Sequence, residues 1–315
     1  MDRQKKQQLL SQALETACAA LGVQAEQITH LEAMKLGMTN HSFVFTLGGQ
    51  RYMLRLPGEG TAKLIDRQGE AAVYQAIAGL EIADDVVYLD PATGVKITSF
   101  LEGVRTCDVS NWSEIARCMS FLRAFHEKKL TAERSFDLFA MIEFYESLWN
   151  GTPSVYQDYA QIKAQVLALR PYLDLTAKPY ILSHLDTVPD NFLLAPENSS
   201  GRTIRLIDWE YAAMQDPDVD IAMFAVYGLP AQRDADRLID CYYVEGCSES
   251  VRIKIYAYMA VCGLLWSNWC EYKHQLGVEF RGYAQQQYRC AADYSALALE
   301  RLKQLEGSLY EHHGR

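Results

Sequence analysis

SHLDTVPDNFLL, residues 183–194, places an Asp two positions after a His and an Asn five positions after that Asp. Its first eight residues follow neither helical nor strand spacing, so they read as a loop. An Asp held near a hydroxyl accepts its proton, and an Asn amide oxygen is a ligand for a hard cation. His184, Asp186 and Asn191 are therefore candidates for chemistry. H-x-D-x4-N also arises by chance in roughly one chain of this length in a hundred. A loop whose Asp and Asn only make Asx-turns carries the same letters, so the neighbouring segments have to decide.

Downstream, TIRLIDWEY is β-rich and ends near Asp208, 22 residues after Asp186. A strand end there aims a second carboxylate at the loop. Upstream, KLGMTNHSFVF has the turn residues of a hairpin, with Thr39, Asn40 and Ser42 near its tip. RYMLRLPG sets Arg55 on a strand, and DRQGEAAVYQAI sets Glu70 on a helix. Hairpin, strand cation, helix Glu, loop Asp and Asn, then a second Asp resembles the order of parts in the protein-kinase pattern of phosphoryl transfer.

The rest of the chain divides accordingly. Residues 1–101 read as one amphipathic helix ending at Gly22, antiparallel strands and one inserted helix, a nucleotide-binding lobe with the start of a hinge. Residues 102–315 read as a mainly helical lobe holding the catalytic loop and the acceptor site. The expected helices are SEIARCMSFLRAFHEK, FDLFAMIEFYESLW, YAQIKAQVLALRPYL, DVDIAMFAVYG, SVRIKIYAYMAVCGLLWSNWCEYKHQ and YAQQQYRCAADYSALALERLKQL. The fold class is α+β, without repeats or low-complexity tracts.

Forty acidic against thirty basic side chains give a net charge of -10, and no Lys/Arg run tracks a phosphate backbone. No nucleic-acid partner is expected on that ground. The eight cysteines are scattered without a C-x-x-C pair, as free thiols in a reducing compartment are. The histidines, His126, His184, His312 and His313 among them, lack zinc-site spacing. The first helix lacks the apolar run of a signal peptide, and IYAYMAVCGLLW is too short to span a bilayer. The expected location is cytoplasmic, with no membrane partner.

These segments together resemble the choline/ethanolamine kinases of the aminoglycoside phosphotransferase superfamily, whose fold is protein kinase-like and two-lobed. GMTNHSFVF, YMLRLPGEGT, SHLDTVPDNFLL, LIDWEYAAMQDPDVDIA and LLWSNWCEYKHQLGVEFRGYAQQQYRCAADY carry the resemblance, from about residue 34 to 293. The bacterial choline kinases of the phosphorylcholine pathway are the nearest group. The resemblance implies ATP and Mg²⁺ as cofactors, Asp186 as the catalytic aspartate, and Asn191 and Asp208 as metal ligands. It also implies that Arg55 with Glu70 positions phosphates, that Thr39, Asn40 and Ser42 cover them, and that Phe100, Leu101 and Glu102 lie beside adenine. His184 and Asp220 match structural residues bracing the loop. There are two departures from the protein-kinase pattern: the hairpin has one glycine, Gly37, and Arg55 stands where protein kinases have Lys.

Trp266 and Trp269 are three apart in LLWSNWCEYK and share a helix face. They match the W-x-x-W of the choline pocket, and Tyr283 matches a further aromatic of it. Glu210 and Tyr211 are expected to add a carboxylate and another ring. A quaternary ammonium has no N–H donor, so aromatic faces and diffuse negative charge must recognise it. An aminoglycoside would need several carboxylates on a late helix, where SNWCEYKH offers only Glu271. Choline is the expected small-molecule substrate. Ethanolamine, another small amino-alcohol or an aminoglycoside is the alternative acceptor, and a nucleotide-binding pseudokinase the alternative without turnover.

Overall fold

The computed structural model describes residues 3–34, 40–58, 60–196 and 204–313. In chain order the elements are α1 (Arg3–Leu21), β1 (Ile28–Ala33), β2 (Asn40–Leu47), β3 (Gln50–Pro57), α2 (Arg67–Ala76), β4 (Val86–Leu89), β5 (Lys96–Ser99) and β6 (Arg105–Thr106). Then come α3 (Trp112–His126), α4 (Leu138–Ser147), α5 (Tyr159–Leu167), α6 (Arg170–Thr176), β7 (Ile181–Ser183), β8 (Phe192–Leu194), β9 (Ile204–Leu206) and β10 (Ala213–Gln215). The chain finishes with α7 (Asp218–Gly228), α8 (Gln232–Tyr242), α9 (Glu249–Gln275) and α10 (Arg281–His313). Two compact units result: Met1–Arg105 with Leu193–Tyr211, and Thr106–Phe192 with Ala212–Arg315. One cut after residue 101 does not describe this division, because Leu193–Tyr211 groups with the first unit.

The first unit is built on a five-stranded antiparallel sheet in the order β1-β2-β3-β5-β4. Gly48 and Gly49, at φ 60° and 82°, make the tight β2–β3 turn that side chains with a Cβ resist. That turn fixes the register from Leu47 opposite Gln50 out to Asn40 opposite Pro57, which sets Ser42 across from Arg55. Ala13 and Ala17 of α1 pack with Phe43, Phe45, Leu54, Leu56 and Ile97 to form the core. Asp66 caps α2 by accepting from the Gly69 amide at 3.0 Å.

In the second unit α9 is the central helix, buried at every position from Ile253 to Cys270. Helical spacing hydrophobic all round marks a core helix. Among the described residues no helix is long and apolar enough to cross a membrane. Two expectations need correction. The helix read through YAQIKAQVLALRPYL is two, α5 and α6, because Pro171 sits in the first turn of α6 and cannot continue a preceding helix. The helix α8 was not anticipated, although its buried Ala235, Leu238, Ile239 and Tyr242 fall at helical spacing. Its many charges masked the pattern.

Candidate active site

In the first unit the candidates converge on Arg55. Adjacent strands place Arg55 and Lys96 opposite each other, and α2 brings Glu70 to them. Arg55 and Glu70, both buried, pair at 2.6 Å between Nη1 and Oε1 and at 2.9 Å between Nη2 and Oε2. Burial works against the Arg55 charge, but the Glu70, Glu210 and Asp208 carboxylates outweigh it and hold the guanidinium above its ordinary value. Burial likewise penalises the Glu70 carboxylate, and Arg55, Lys96 and Arg67 reverse that and keep its pKa low.

Glu210 is spent inside the same network. Its Oε2 accepts from Asn40 Nδ2 at 3.1 Å and Arg67 Nη1 at 3.0 Å, and lies 3.4 Å from Arg55. It was expected at the acceptor, and these contacts tie it to side chains of its own unit. Tyr211 beside it is buried. Burial, then the neighbouring Asp208, pushes the Glu210 carboxyl up. Asp208 lies 3.4 Å from Arg55, keeps a third of its side chain exposed, and holds a left-handed backbone at φ 67°. A non-glycine residue there stores about 1–3 kcal/mol, and such residues gather at functional sites.

Of the hairpin candidates, Ser42 is half-buried opposite Arg55, whereas Gly37 and Thr39 lie outside the described residues. At the expected hinge, the Phe100 amide donates to the Arg51 carbonyl at 3.0 Å. The Arg51 guanidinium covers the Phe100 ring at 3.9 Å and pairs with Glu102 at 3.0 Å. Leu101 between them is half-buried.

In the second unit the loop after β7 is fixed by Asp220, a fully buried carboxylate in the first turn of α7. It accepts from the backbone amides of His184 at 2.9 Å and Leu185 at 2.7 Å, and bonds His126 Nε2 at 2.9 Å. His126 Nδ1 in turn meets the Tyr242 hydroxyl at 2.8 Å. Leu185 is held at φ 63°, and the next residue is Asp186. The Asp186 amide donates to His184 Nδ1 at 3.2 Å. Asn191 donates its amide nitrogen to the Asp186 carbonyl at 2.8 Å and its carboxylate at 3.2 Å. This use of the nitrogen leaves the Asn191 oxygen as the donor for a ligand. Amide oxygen and carboxylate are the donor set that suits Mg²⁺, which usually takes one or two protein carboxylates and completes its shell with water and phosphate. Among the described residues no three His, Cys, Asp or Glu side chains gather into a metal cage.

The aromatic candidates lie on α9, α10 and the turn between them. Trp266 and Trp269 meet edge to face with centroids 6.0 Å apart, and both are nearly buried. Phe280 stacks on Trp269 at 5.4 Å, and the Lys273 ammonium lies 5.4 Å from the same ring. Tyr283 packs at 5.6 Å from Tyr227 of α7, whose hydroxyl donates to Asp190 at 2.8 Å. Burial, with Cys270 and then Asp186 adding to it, pushes the Tyr283 hydroxyl well above its ordinary value. Sequence reasoning missed Arg67, Tyr227 and Phe280. It also missed the bracing role of His126, since nothing in the local pattern ties that residue to Asp220.

A buried guanidinium–carboxylate pair and a braced Asp–Asn loop suit a kinase-type phosphotransferase that acts on an alcohol, and that is the class the family defines. Residues 31–228 match the family model described as choline/ethanolamine kinase, and the chain belongs to that family. Protein LicA of Haemophilus influenzae is 27% identical over 269 residues, 79% of this chain and 75% of that protein. The crystal structure of choline kinase LicA from Streptococcus pneumoniae has a TM-score of 0.78 at 25% identity, over 91% of this chain and 99% of that one. A structure of LicA in complex with AMP has a TM-score of 0.77 at 25% identity, over 90% and 97% of the two chains. The fold is α+β and protein kinase-like, and the chain binds a nucleotide.

Proposed function

We propose that the chain transfers the terminal phosphoryl group of ATP to the hydroxyl of choline, giving phosphocholine and ADP. The observation that carries the reading is Asp186, fixed by Asn191 on a loop braced by Asp220. A carboxylate for the hydroxyl and aromatic faces for the quaternary ammonium suit an acceptor whose two groups are two carbons apart.

In this reading Asp186 orients the choline hydroxyl and receives its proton as the oxygen attacks the terminal phosphorus, while the bond from phosphorus to the ADP oxygen breaks. Asn191 and Asp208 hold Mg²⁺, which when bound neutralises charge on the phosphates. Arg55, kept in place by Glu70, positions those phosphates, and Thr39, Asn40 and Ser42 cover them. Phe100, Leu101 and Glu102 form the adenine side. Trp266 and Tyr283 receive the trimethylammonium, and Trp269, stacked on Phe280, backs Trp266. Most of the rate comes from positioning and charge neutralisation.

Against an aminoglycoside acceptor, the carboxylate of Glu271 is taken up locally by the Ser154 hydroxyl at 2.5 Å and the Val155 amide at 3.2 Å. The test is Mg²⁺-dependent ADP release from ATP, with choline, ethanolamine, thiamine and an aminoglycoside offered in parallel at matched concentrations. Stimulation by choline above the others is expected. Preference for ethanolamine would move the assignment to the primary amine, and nucleotide binding without turnover on any acceptor would leave a pseudokinase.

A further inference from the structure

Arg67 is a buried cation beside Arg55 that the proposed chemistry does not use. It opens α2, one residue after the Asp66 cap, and is 9% exposed. A long charged side chain at the first turn of a helix normally points to water. Here Nη1 is 3.0 Å from Glu70 Oε2 and 3.0 Å from Glu210 Oε2, so one nitrogen joins the carboxylate of α2 to the carboxylate two residues past Asp208. Arg55 touches the same two carboxylates. The chain makes room for this arrangement at Gly94, at φ 77° in the turn before β5. A Cβ there would lie 2.5 Å from Arg67 Nε and 2.8 Å from its Cδ. Only glycine combines that backbone with that space.

We infer that Arg67 is a positioning residue for the phosphate-facing cation Arg55, acting through Glu70 and Glu210. The physical reason is competition. Glu70 and Glu210 both pull on Arg55, and a second cation bound to the same carboxylates weakens both pulls. Arg67 donates to Oε2 of each, the same oxygen that Arg55 contacts, so the two guanidinium groups share both carboxylates and Arg55 lies 3.4 Å from Asp208. Arg55 Nε and Arg67 Nη2 remain as buried donors without an acceptor among the described residues. Buried guanidinium donors left unpaired are costly, and an oxyanion is the acceptor chemistry both share.

The inference rests on the proposed placement of Arg55 at the nucleotide phosphates, and its test does not involve choline. ATP and adenosine are titrated calorimetrically against wild type, Arg67→Met, Arg67→Lys and Gly94→Ala, without metal. The quantity read is the ratio of the two affinities, which isolates the phosphates from the base and ribose. Arg67→Met is expected to lower that ratio by about tenfold, the scale of one positioned charged hydrogen bond. Arg67→Lys is expected to recover at least half of the loss on the same logarithmic scale. Gly94→Ala, which removes no charge but crowds the guanidinium, is expected to lower the ratio in the same direction.

A merely structural Arg67 would depress thermal stability and leave the ratio unchanged, and that result overturns the inference. Should Arg67→Met not fold, an unchanged ratio in Gly94→Ala overturns it equally. Failure of choline to stimulate turnover would leave the ATP-to-adenosine comparison intact, so the two readings fail separately.

Discussion

Replacing Asp220 by Asn changes one atom and removes the charge that holds the loop before Asp186. The carboxylate accepts from two backbone amides, and Asn has one oxygen to offer. With that oxygen on the Leu185 amide, the new NH₂ group faces the His184 N–H, donor against donor. His126 can answer by changing tautomer, but a backbone amide cannot. A hydrogen bond to a charged group contributes about 1.5–3 kcal/mol, and a buried donor left unpaired costs about 1–3 kcal/mol. These overlap, so the expected loss is about 2–5 kcal/mol of stability, which a domain of typical stability survives. Activity should fall further than stability implies. Leu185 is held at φ 63° against strain of about 1–3 kcal/mol, and releasing its neighbour lets Asp186 move. A misplacement of about 1 Å costs on the order of 10²-fold in rate. Urea unfolding and kcat on the same preparations give both quantities. A stability change within about 0.5 kcal/mol, as for a surface substitution, together with a wild-type kcat would refute the bracing argument.

Asp186→Ala should lower kcat by at least about 10²-fold, the lower range for a general base, with the unfolding midpoint retained. An unchanged kcat would remove Asp186 from the chemistry. Trp266→Ala should raise the choline KM more than the ATP KM, but the side chain is only 6% exposed, so truncation also costs about 3–5 kcal/mol of packing. Trp266→Phe isolates the ring effect, with a choline KM raised up to about tenfold. Equal changes in both KM values would return Trp266 to the core alone. Glu70 has a folded pKa below its unfolded one, so its contribution to stability is present above the ordinary carboxylate value of about 4.3 and is lost as pH falls through and below it. Glu70→Gln should therefore be less stable near neutrality and flatter in acid. A parallel acid slope for wild type and variant would contradict the pairing.

Residues whose role follows from local order were legible in the sequence. The β2–β3 turn, the strand position of Arg55 and the helix position of Glu70 all follow from spacing and turn chemistry, and the described structure has them there. The loop was legible because Asp186 and Asn191 are five apart and bond each other directly. What spacing cannot carry is the choice between partners far along the chain. Glu210 follows Asp208 so closely that both were expected to face ligands, yet its bonds run to Asn40 and Arg67, 170 and 143 residues away. Nothing in the sequence singled out Arg67 at its helix start, and its place beside the two carboxylates depends on a glycine 27 positions later. Trp269 was legible as a neighbour of Trp266, but not as a ring already stacked on Phe280.

The weaving of Leu193–Tyr211 into the first unit governs how the molecule can be dissected. A fragment ending at residue 105 would contain Arg55, Arg67 and Glu70 but neither Asp208 nor Glu210. Two guanidinium groups would then share one buried carboxylate, leaving uncompensated positive charge in the interior of the fragment. Proteolysis or truncation at that point therefore yields a piece that is electrostatically incomplete, whatever its sheet contributes. Complementation by a peptide carrying residues 193–211 is the economical way to restore its charge balance.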